Sequence, residues 1–147
     1  MNLFEVINDY KQKRKMENYD ILQQEKEVVP SGVRLIMLLQ GHLREILRRE
    51  REGRSLIHVY CTGDYWVAFE RSGYGLLRLF PNAESTPMRL ECYPFPLVVV
   101  SVTDAELRAY ARRHLFERRG DDYGCLAMPA HAQIGYRIWH RQETRGL

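Results

Sequence analysis

The sequence lacks a hydrophobic run long enough to cross a bilayer. The longest uninterrupted apolar stretches, residues 35–39 and 65–69, have five residues each, and residues 97–100 add four, far short of the roughly 20 residues that a membrane-spanning helix needs. Residues 1–9 carry two acidic side chains and no basic one, whereas a secretory signal begins with basic residues and continues into an apolar segment. We therefore expect a cytoplasmic protein that has no membrane contact.

The chain has only three cysteines, and their spacing does not suggest pairs. Cys61, Cys92 and Cys125 are odd in number and widely spaced, which fits neither a disulfide framework nor the close ligand pairs of a zinc site. Gly73 and Gly75 come without the third glycine, lysine and helix start of a phosphate-binding loop. We expect reduced thiols, no metal and no cofactor.

What the sequence does contain is ordinary globular composition. Of its 147 residues, 45% are hydrophobic and 28% are charged, and 22 basic side chains against 19 acidic ones leave a net charge of +3. Every lysine precedes Glu27, so the chain changes composition there. We predict a helical arm, residues 1–27, followed by a single α+β domain, residues 28–147.

Hydrophobic periodicity and turn residues predict the order of elements in that domain. Thr103 and Glu106 have the spacing of a capping box, which predicts a helix beginning at Asp104. The full prediction is a helix over 33–52, strands over 56–62, 65–71, 76–80, 88–93 and 97–102, a helix over 104–119, a loop over 121–130, and a last strand around 134–139. The predicted fold class is α+β: an antiparallel sheet of about five or six strands, with two N-terminal helices and one later helix packed on it. The helices should cover one face, and we expect the first helix to complete the core on the other, aromatic face; the alternative is that this face is an exposed contact surface.

The predicted arm favours an association role. Leu3, Phe4, Ile7 and Tyr10 recur at three- and four-residue spacing and form a narrow apolar stripe. An isolated helix with so thin a stripe gains most of its stability by docking on another surface. The first hypothesis is therefore a non-catalytic protein-interaction or oligomerisation module, in which residues 1–27 contact a protein partner or a second copy of the chain.

Clustered arginines support an alternative function in nucleic-acid binding. Arginine binds phosphate oxygens in two-point fashion, and aromatic rings stack on unpaired bases. Acidic neighbours such as Glu117 and Asp121 also provide partners for these arginines within the chain. The candidate binding residues are Arg108, Arg112, Arg113, Arg119, Tyr136, Arg137, His140 and Arg141. The alternative is thus a protein that binds single-stranded RNA or DNA.

Two catalytic variants remain open. A small RNA-cleaving enzyme that needs no metal could take its base, acid and cation from His140, Tyr136 and either Arg137 or Arg141. A cysteine-dependent enzyme could instead use Cys125, which follows a glycine, with His114, His131 or His140 as base. The competing interpretation of Cys125 is a small, buried, unreactive core residue.

Overall fold

The computed structural model describes Ile7, residues 30–53 and residues 55–147. In chain order, these contain α1 (Ser31–Glu52), β1 (Leu56–Cys61), β2 (Tyr65–Phe69), α2 (Glu70–Leu79), β3 (Glu84–Leu90), β4 (Tyr93–Thr103), α3 (Asp104–Ala111), β5 (Phe116–Arg118), β6 (Tyr123–Ala127) and α4 (Tyr136–Thr144). The predicted leading helix lies outside the described residues apart from Ile7. Within the described residues, no helix is both long enough and apolar enough to cross a membrane.

The six strands form one antiparallel sheet in the order β3-β4-β2-β1-β6-β5. Residue Val67 of β2 lies opposite Ser101 of β4, and Ile57 of β1 lies opposite Leu126 of β6. The α+β class and the antiparallel sheet are therefore confirmed. Strands β2 and β1 occupy the centre, where both neighbours satisfy their backbone hydrogen bonds.

Helices cover both faces of the sheet. On one face, Trp66 and Ala68 of β2 pack with Leu76 of α2 and Leu107 of α3. On the other face, the alternate β2 residues pack against α1, in a cluster made of Val67, Phe69, Tyr60, Val99, Leu35, Leu39 and Ile46. Strands β2 and β4 carry apolar residues at successive positions, which is typical of strands that are buried on both sides.

Ile7 belongs to the α1 side of this core. It is 7% exposed and lies in the same cluster as Leu35 and Leu39. The rest of the predicted arm lies outside the described residues. Association through residues 1–27 therefore stays a prediction, while Ile7 itself is buried in this chain's own core.

The described residues contain four helices, three of which follow β1, whereas the sequence predicted one later helix. Residues 76–80 were predicted to be a strand after a turn at Gly73 and Gly75, but residues 70–79 form α2. Both glycines lie on the helix face that packs on the sheet. A Cβ atom added to Gly75 would collide with the Met128 sulfur and would approach the Ile57 side chain. Here glycine allows a helix to approach a sheet closely and does not mark a turn.

The chain after Thr103 also differs from the prediction. The capping box is confirmed, since the Glu106 backbone N–H donates to Thr103 Oγ1 at 3.1 Å. Its helix ends at Ala111 and not at residue 119, because residues 116–118 pair with β6 as an edge strand. The predicted loop over 121–130 contains β6, and the predicted last strand contains the start of α4.

Candidate functional site

A cleft of about 450 Å³ opens between α1, the start of α2 and the turn between β3 and β4. This volume falls within the range of small-ligand sites. Its lining residues come from four separate elements and from that turn: Leu43, Arg44, Leu47, Glu50, Arg51, Glu70, Arg71, Cys92, Tyr93 and Tyr136. Two carboxylates and three guanidinium groups therefore share one cavity with a tyrosine hydroxyl and an aromatic rim.

Glu50 joins α1 to the first turn of α2. Its carboxylate accepts the Ser72 backbone N–H at 2.8 Å and the Ser72 hydroxyl at 2.6 Å, and Ser72 Oγ accepts the His58 backbone N–H at 2.9 Å. N–H groups in the first turn of a helix have no partner within that helix. Glu50 thus caps α2 from another helix.

Burial raises the pKa of Glu50 from its ordinary value near 4.5 to about 7, although the hydrogen bonds from Ser72 oppose this change. The residue is 8% exposed, and desolvation penalises its charged form. Its ionisation therefore changes near neutral pH, which is unusual for a glutamate.

Glu70 joins α4 to the sheet. Its carboxylate accepts the Val98 backbone N–H at 2.8 Å and the Tyr136 hydroxyl at 3.1 Å, and His140 Nε2 lies 2.9 Å from Oε2. Burial, followed by the charge of Glu70, raises the pKa of Tyr136, so this hydroxyl remains a neutral donor. Glu70 also has a φ of 55°, a left-handed conformation that costs a residue with a side chain about 1–3 kcal/mol. Three donors from two elements hold it there.

Exposed arginines lie along one face of α1. Arg44, Arg48 and Arg51 recur at four- and three-residue spacing and so share this face, and Arg44 and Arg51 line the cleft. Arg48 pairs with Glu52 at 2.9 Å, whereas Arg44 and Arg51 form no ion pair with any residue that the structure describes. Among the described residues, two of the three guanidinium groups on this face therefore have no acidic partner.

Aromatic rings lie on the first residues of β4. The rings of Tyr93 and Phe95 have centres 5.5 Å apart and planes inclined by 68°. Tyr93 lines the cleft, and Phe95 is 62% exposed. At the start of α2, the Arg71 guanidinium lies 4.6 Å from the centre of the Tyr136 ring. The cleft lining thus contains both aromatic rings and cations.

The eight binding residues predicted from the sequence form two groups, which lie in different parts of the structure. Tyr136 and His140 do come together, on Glu70, and Arg137 and Arg141 are exposed on the same helix. The side chains of Tyr136 and His140 both contact Glu70. RNA cleavage by these two residues stays a prediction.

The other four predicted residues follow the far end of β4. Arg108 pairs with Asp104, and Arg119 pairs with Glu117, while Arg112 and Arg113 are exposed beyond α3. Six residues of extended chain separate Asp104 from the Val98 N–H that anchors Glu70, a span of about 20 Å. Within the described residues, no hydrogen bond or ion pair joins the two groups, so a single patch made of them stays a prediction.

Sequence reasoning missed both carboxylates of the cleft. Glu50 did leave a signal, because it continues the apolar series Leu39, Leu43 and Ile46 of α1 at helical spacing. A carboxylate at an inward position of an amphipathic helix indicates a buried partner. Glu70 left none, since its partners Val98, Tyr136 and His140 are distant in the sequence.

Cys125 has a histidine neighbour that was not among the three predicted candidates. His58 lies opposite Cys125 in the β1–β6 pairing, and its Nδ1 atom is 3.6 Å from the thiol sulfur and 2.7 Å from the Tyr123 hydroxyl. Burial lowers the pKa of His58, which weakens it as a base, and Cys125 is 2% exposed. Reactive thiols need accessible sites, so this geometry favours an unreactive core cysteine.

Among the residues that the structure describes, no group of three or more histidine, cysteine, aspartate or glutamate side chains could hold a metal ion. No protein-family model, curated protein or solved structure matches the chain. The residues of the cleft are therefore the basis for a functional proposal.

Proposed function

We propose that the protein binds single-stranded nucleic acid in the cleft between α1 and α2. One observation carries this proposal: the exposed Arg44 and Arg51, without ion pairs among the described residues, line the same cleft as Tyr93, which is in contact with the exposed ring of Phe95. Arginines that follow a phosphate backbone, together with rings that stack on bases, are the combination that single-strand binders use.

The spacing of the arginines suits an extended polyanion. Arg44 and Arg51 are seven residues apart on α1, so their backbones are separated by about 10 Å along the helix axis. Two guanidinium groups at that separation can each bind a different phosphate in two-point geometry. A ligand with several phosphates would use both, whereas a single small anion would use one.

The acidic side chains of the cleft do not cancel this charge. The pKa of Glu50 is about 7, so its carboxyl group is partly protonated at neutral pH. Glu70 accepts hydrogen bonds from Val98 and Tyr136 and contacts His140, and neither carboxylate of the cleft forms an ion pair with Arg44 or Arg51. These two guanidinium groups are therefore not held by the carboxylates of the cleft and can contact a ligand.

Reversing the charge of both exposed arginines tests the proposal. We expect Arg44→Glu with Arg51→Glu to weaken binding of a fluorescently labelled single-stranded oligonucleotide by about 10-fold or more at low salt. The slope of log affinity against log salt should also fall by roughly 1.4, because two phosphate contacts are lost. Fluorescence anisotropy at a series of salt concentrations measures both quantities.

The matched control is Arg112→Glu with Arg113→Glu, which makes the same change in net charge at exposed positions beyond α3. This control should keep most of the affinity. The proposal is wrong if the wild-type protein does not bind at low salt, or if the control loses as much affinity as the cleft variant.

Phe95 should contribute by stacking. We expect Phe95→Ala to weaken binding of the same oligonucleotide by about 10-fold, because alanine substitution of a stacking ring typically removes 1–3 kcal/mol per base. Since Phe95 is 62% exposed, the melting temperature should hardly change. Leu115→Ala is the control, because Leu115 is 83% exposed and lies outside the cleft. Equal affinities of the two variants would contradict a stacking role.

A further inference from the structure

We infer that the protein has a second ligand site, a cavity at the end of α1 that binds a phosphate monoester. The cavity has a volume of about 360 Å³, which falls within the range of small-ligand sites. It shares no lining residue with the cleft, so the inference does not depend on the proposed function. Its lining includes Arg48, Arg49, Glu52, His58, Arg119 and Tyr123.

Three arginines of this second cavity come from two separate parts of the fold. Arg48 and Arg49 belong to the last turns of α1, where basic residues also complement the helix dipole. Arg119 lies in the turn between β5 and β6, and its backbone N–H donates to the Tyr123 carbonyl oxygen at 3.0 Å. The dipole of α1 does not explain why Arg119 lines the same cavity, whereas an anionic ligand does.

The Arg49 side chain is ordered before any ligand binds. Its guanidinium lies 3.9 Å from the centre of the Tyr123 ring. Its Nη1 atom donates to the Tyr60 hydroxyl at 3.3 Å, and its Nη2 atom pairs with Glu45 at 2.8 Å. A cation that is already held in place loses little conformational entropy on binding, which favours affinity.

The acidic partners of the other two arginines leave hydrogen-bond donors for a ligand. Arg48 uses Nη1 for Glu52, and Arg119 uses Nε and Nη2 for Glu117. A guanidinium group has five N–H donors, and those on Arg119 Nη1 have no acceptor among the described residues. Both ion pairs are exposed to solvent, where such pairs are weak. A doubly charged ligand can therefore compete with these carboxylates.

His58 adds a polar group that is nearly buried. Its Nδ1 atom is 2.7 Å from the Tyr123 hydroxyl. Its Nε2 atom has no hydrogen-bond partner among the described residues, and in the same part of the chain Trp139 Nε1 is the one unpartnered side-chain nitrogen or oxygen that is fully buried. His58 Nε2 therefore keeps contact with solvent, and His58 lines the second cavity.

The tautomer of His58 can supply a donor to this cavity. Burial raises the pKa of Tyr123 to about 12, so its hydroxyl stays protonated and can donate to His58 Nδ1. The proton of the neutral imidazole then lies on Nε2. Burial, followed by the charges of Arg49 and Arg119, lowers the pKa of His58. Both guanidinium groups are thus close enough to His58 to act on the same ligand.

A phosphate monoester matches these groups. It carries about 1.5 to 2 negative charges at pH 7 and three strong acceptor oxygens, and guanidinium groups bind such oxygens in two-point geometry. A carboxylate has one charge and two oxygens, so it would use fewer of the donors. The phosphate monoester can belong to a free small molecule or to the phosphorylated end of a single strand, and the experiments below distinguish these sources.

Titration of the wild-type protein with inorganic phosphate, followed by NMR, tests the site. We expect phosphate at pH 7 and constant ionic strength to shift the imidazole resonances of His58. The resonances of His114 and His131, which do not line the second cavity, should stay unchanged. His140 contacts Glu70 of the cleft, so a shift of His140 without one of His58 would overturn the inference. Unchanged His58 resonances would overturn it as well.

Arg119→Gln tests the contribution of the arginine that does not belong to α1. We expect it to weaken phosphate binding by about 10-fold, because a charge-assisted hydrogen bond is lost. Arg48→Gln applies the same test from α1. The matched control is Arg112→Gln, which removes one charge at an exposed position outside the second cavity and should keep the wild-type affinity. Equal phosphate affinities of all three variants would overturn the inference.

Oligouridines with a 5′-phosphate, a 3′-phosphate or hydroxyl groups at both ends identify the source of the ligand. If a strand end occupies the second cavity, one phosphorylated probe should bind about 10-fold more tightly than the hydroxyl probe, and Arg119→Gln should abolish this difference. Equal affinities, together with the His58 shift, would assign the cavity to a free phosphorylated molecule. Oligouridine binding without a His58 shift by phosphate would overturn the second site and leave the proposed function intact. A His58 shift without oligouridine binding would do the reverse.

Discussion

The difference in unfolding free energy between the wild-type protein and Glu50→Gln is expected to change by about 3 kcal/mol between pH 4.5 and pH 8. The pKa of Glu50 is raised to about 7 by burial in the folded protein, from an ordinary value near 4.5. A difference of that size in pKa corresponds to about 3 kcal/mol, at roughly 1.4 kcal/mol per unit.

The direction in which the unfolding free energy changes with pH follows from the number of protons that the folded and unfolded states bind. Between pH 4.5 and pH 7 the folded state holds a proton on Glu50 that the unfolded state has lost, so the folded wild-type protein loses stability as the pH rises. His58 acts in the opposite direction, because its pKa is lowered by burial and its neutral form is favoured on folding. His58 is present in both proteins, so its effect cancels in the difference.

Urea unfolding followed by circular dichroism at pH 4.5, 5.5, 6.5 and 8 measures this difference. The glutamine variant should be less stable than the wild type, or equal to it, at pH 4.5, and should gain on it as the pH rises. A difference that stays constant over this range would show that Glu50 is not a buried carboxyl group of raised pKa between α1 and α2.

Glu70→Ala is expected to lower the unfolding free energy by about 3 kcal/mol. The substitution leaves the buried Val98 N–H without an acceptor and removes the partner of the Tyr136 hydroxyl, and each buried group left unsatisfied costs about 1–3 kcal/mol. Alanine also keeps a side chain at the φ of 55°, so the backbone strain is not relieved.

Glu70→Gln is the matched control. Its amide oxygen can still accept the Val98 N–H, so we expect a loss of about 1 kcal/mol, from the weaker contact with His140. Urea unfolding at pH 7 measures both variants. A loss below about 0.5 kcal/mol for Glu70→Ala would contradict the role of Glu70 as the link between α4 and the sheet.

Local signals in the sequence predicted the elements that local contacts determine. The capping box of Thr103 and Glu106 involves residues three apart, and α1 follows from a wide apolar face and a glycine at its end. The antiparallel class was predicted from strands joined by short turns. These features depend on residues that are close together in the sequence, so the spacing of residue types can predict them.

The errors arose where distant contacts decide the structure. Gly73 and Gly75 indicate a turn when their neighbours in the sequence are considered alone. In the structure both lie inside α2, where the close approach of Ile57 and Met128 leaves no room for a Cβ atom at Gly75. Ile134, Tyr136 and Ile138 alternate like a strand. In α4, however, Tyr136 is turned inward to Glu70 and Ile138 is 62% exposed.

The place of the candidate site could not be predicted from the sequence. The sequence analysis named arginines and aromatic rings as candidates for nucleic-acid binding, and the binding that we propose uses different residues, chiefly Arg44, Arg51 and Phe95. Only tertiary structure brings α1, α2 and the start of β4 together, because the segments that contribute to the cleft are separated by the central strands in the sequence.

The position of β1 in the sheet bears on how the chain folds. One neighbour of β1 is β2, which follows it directly, but the other is β6, which comes after four further strands and two helices. Pairing so remote in the sequence carries a large loop-closure entropy and slows folding. During synthesis, the open side of β1 stays unpaired until residues 123–127 have emerged. This strand is therefore the place where newly made molecules are most prone to aggregate with one another.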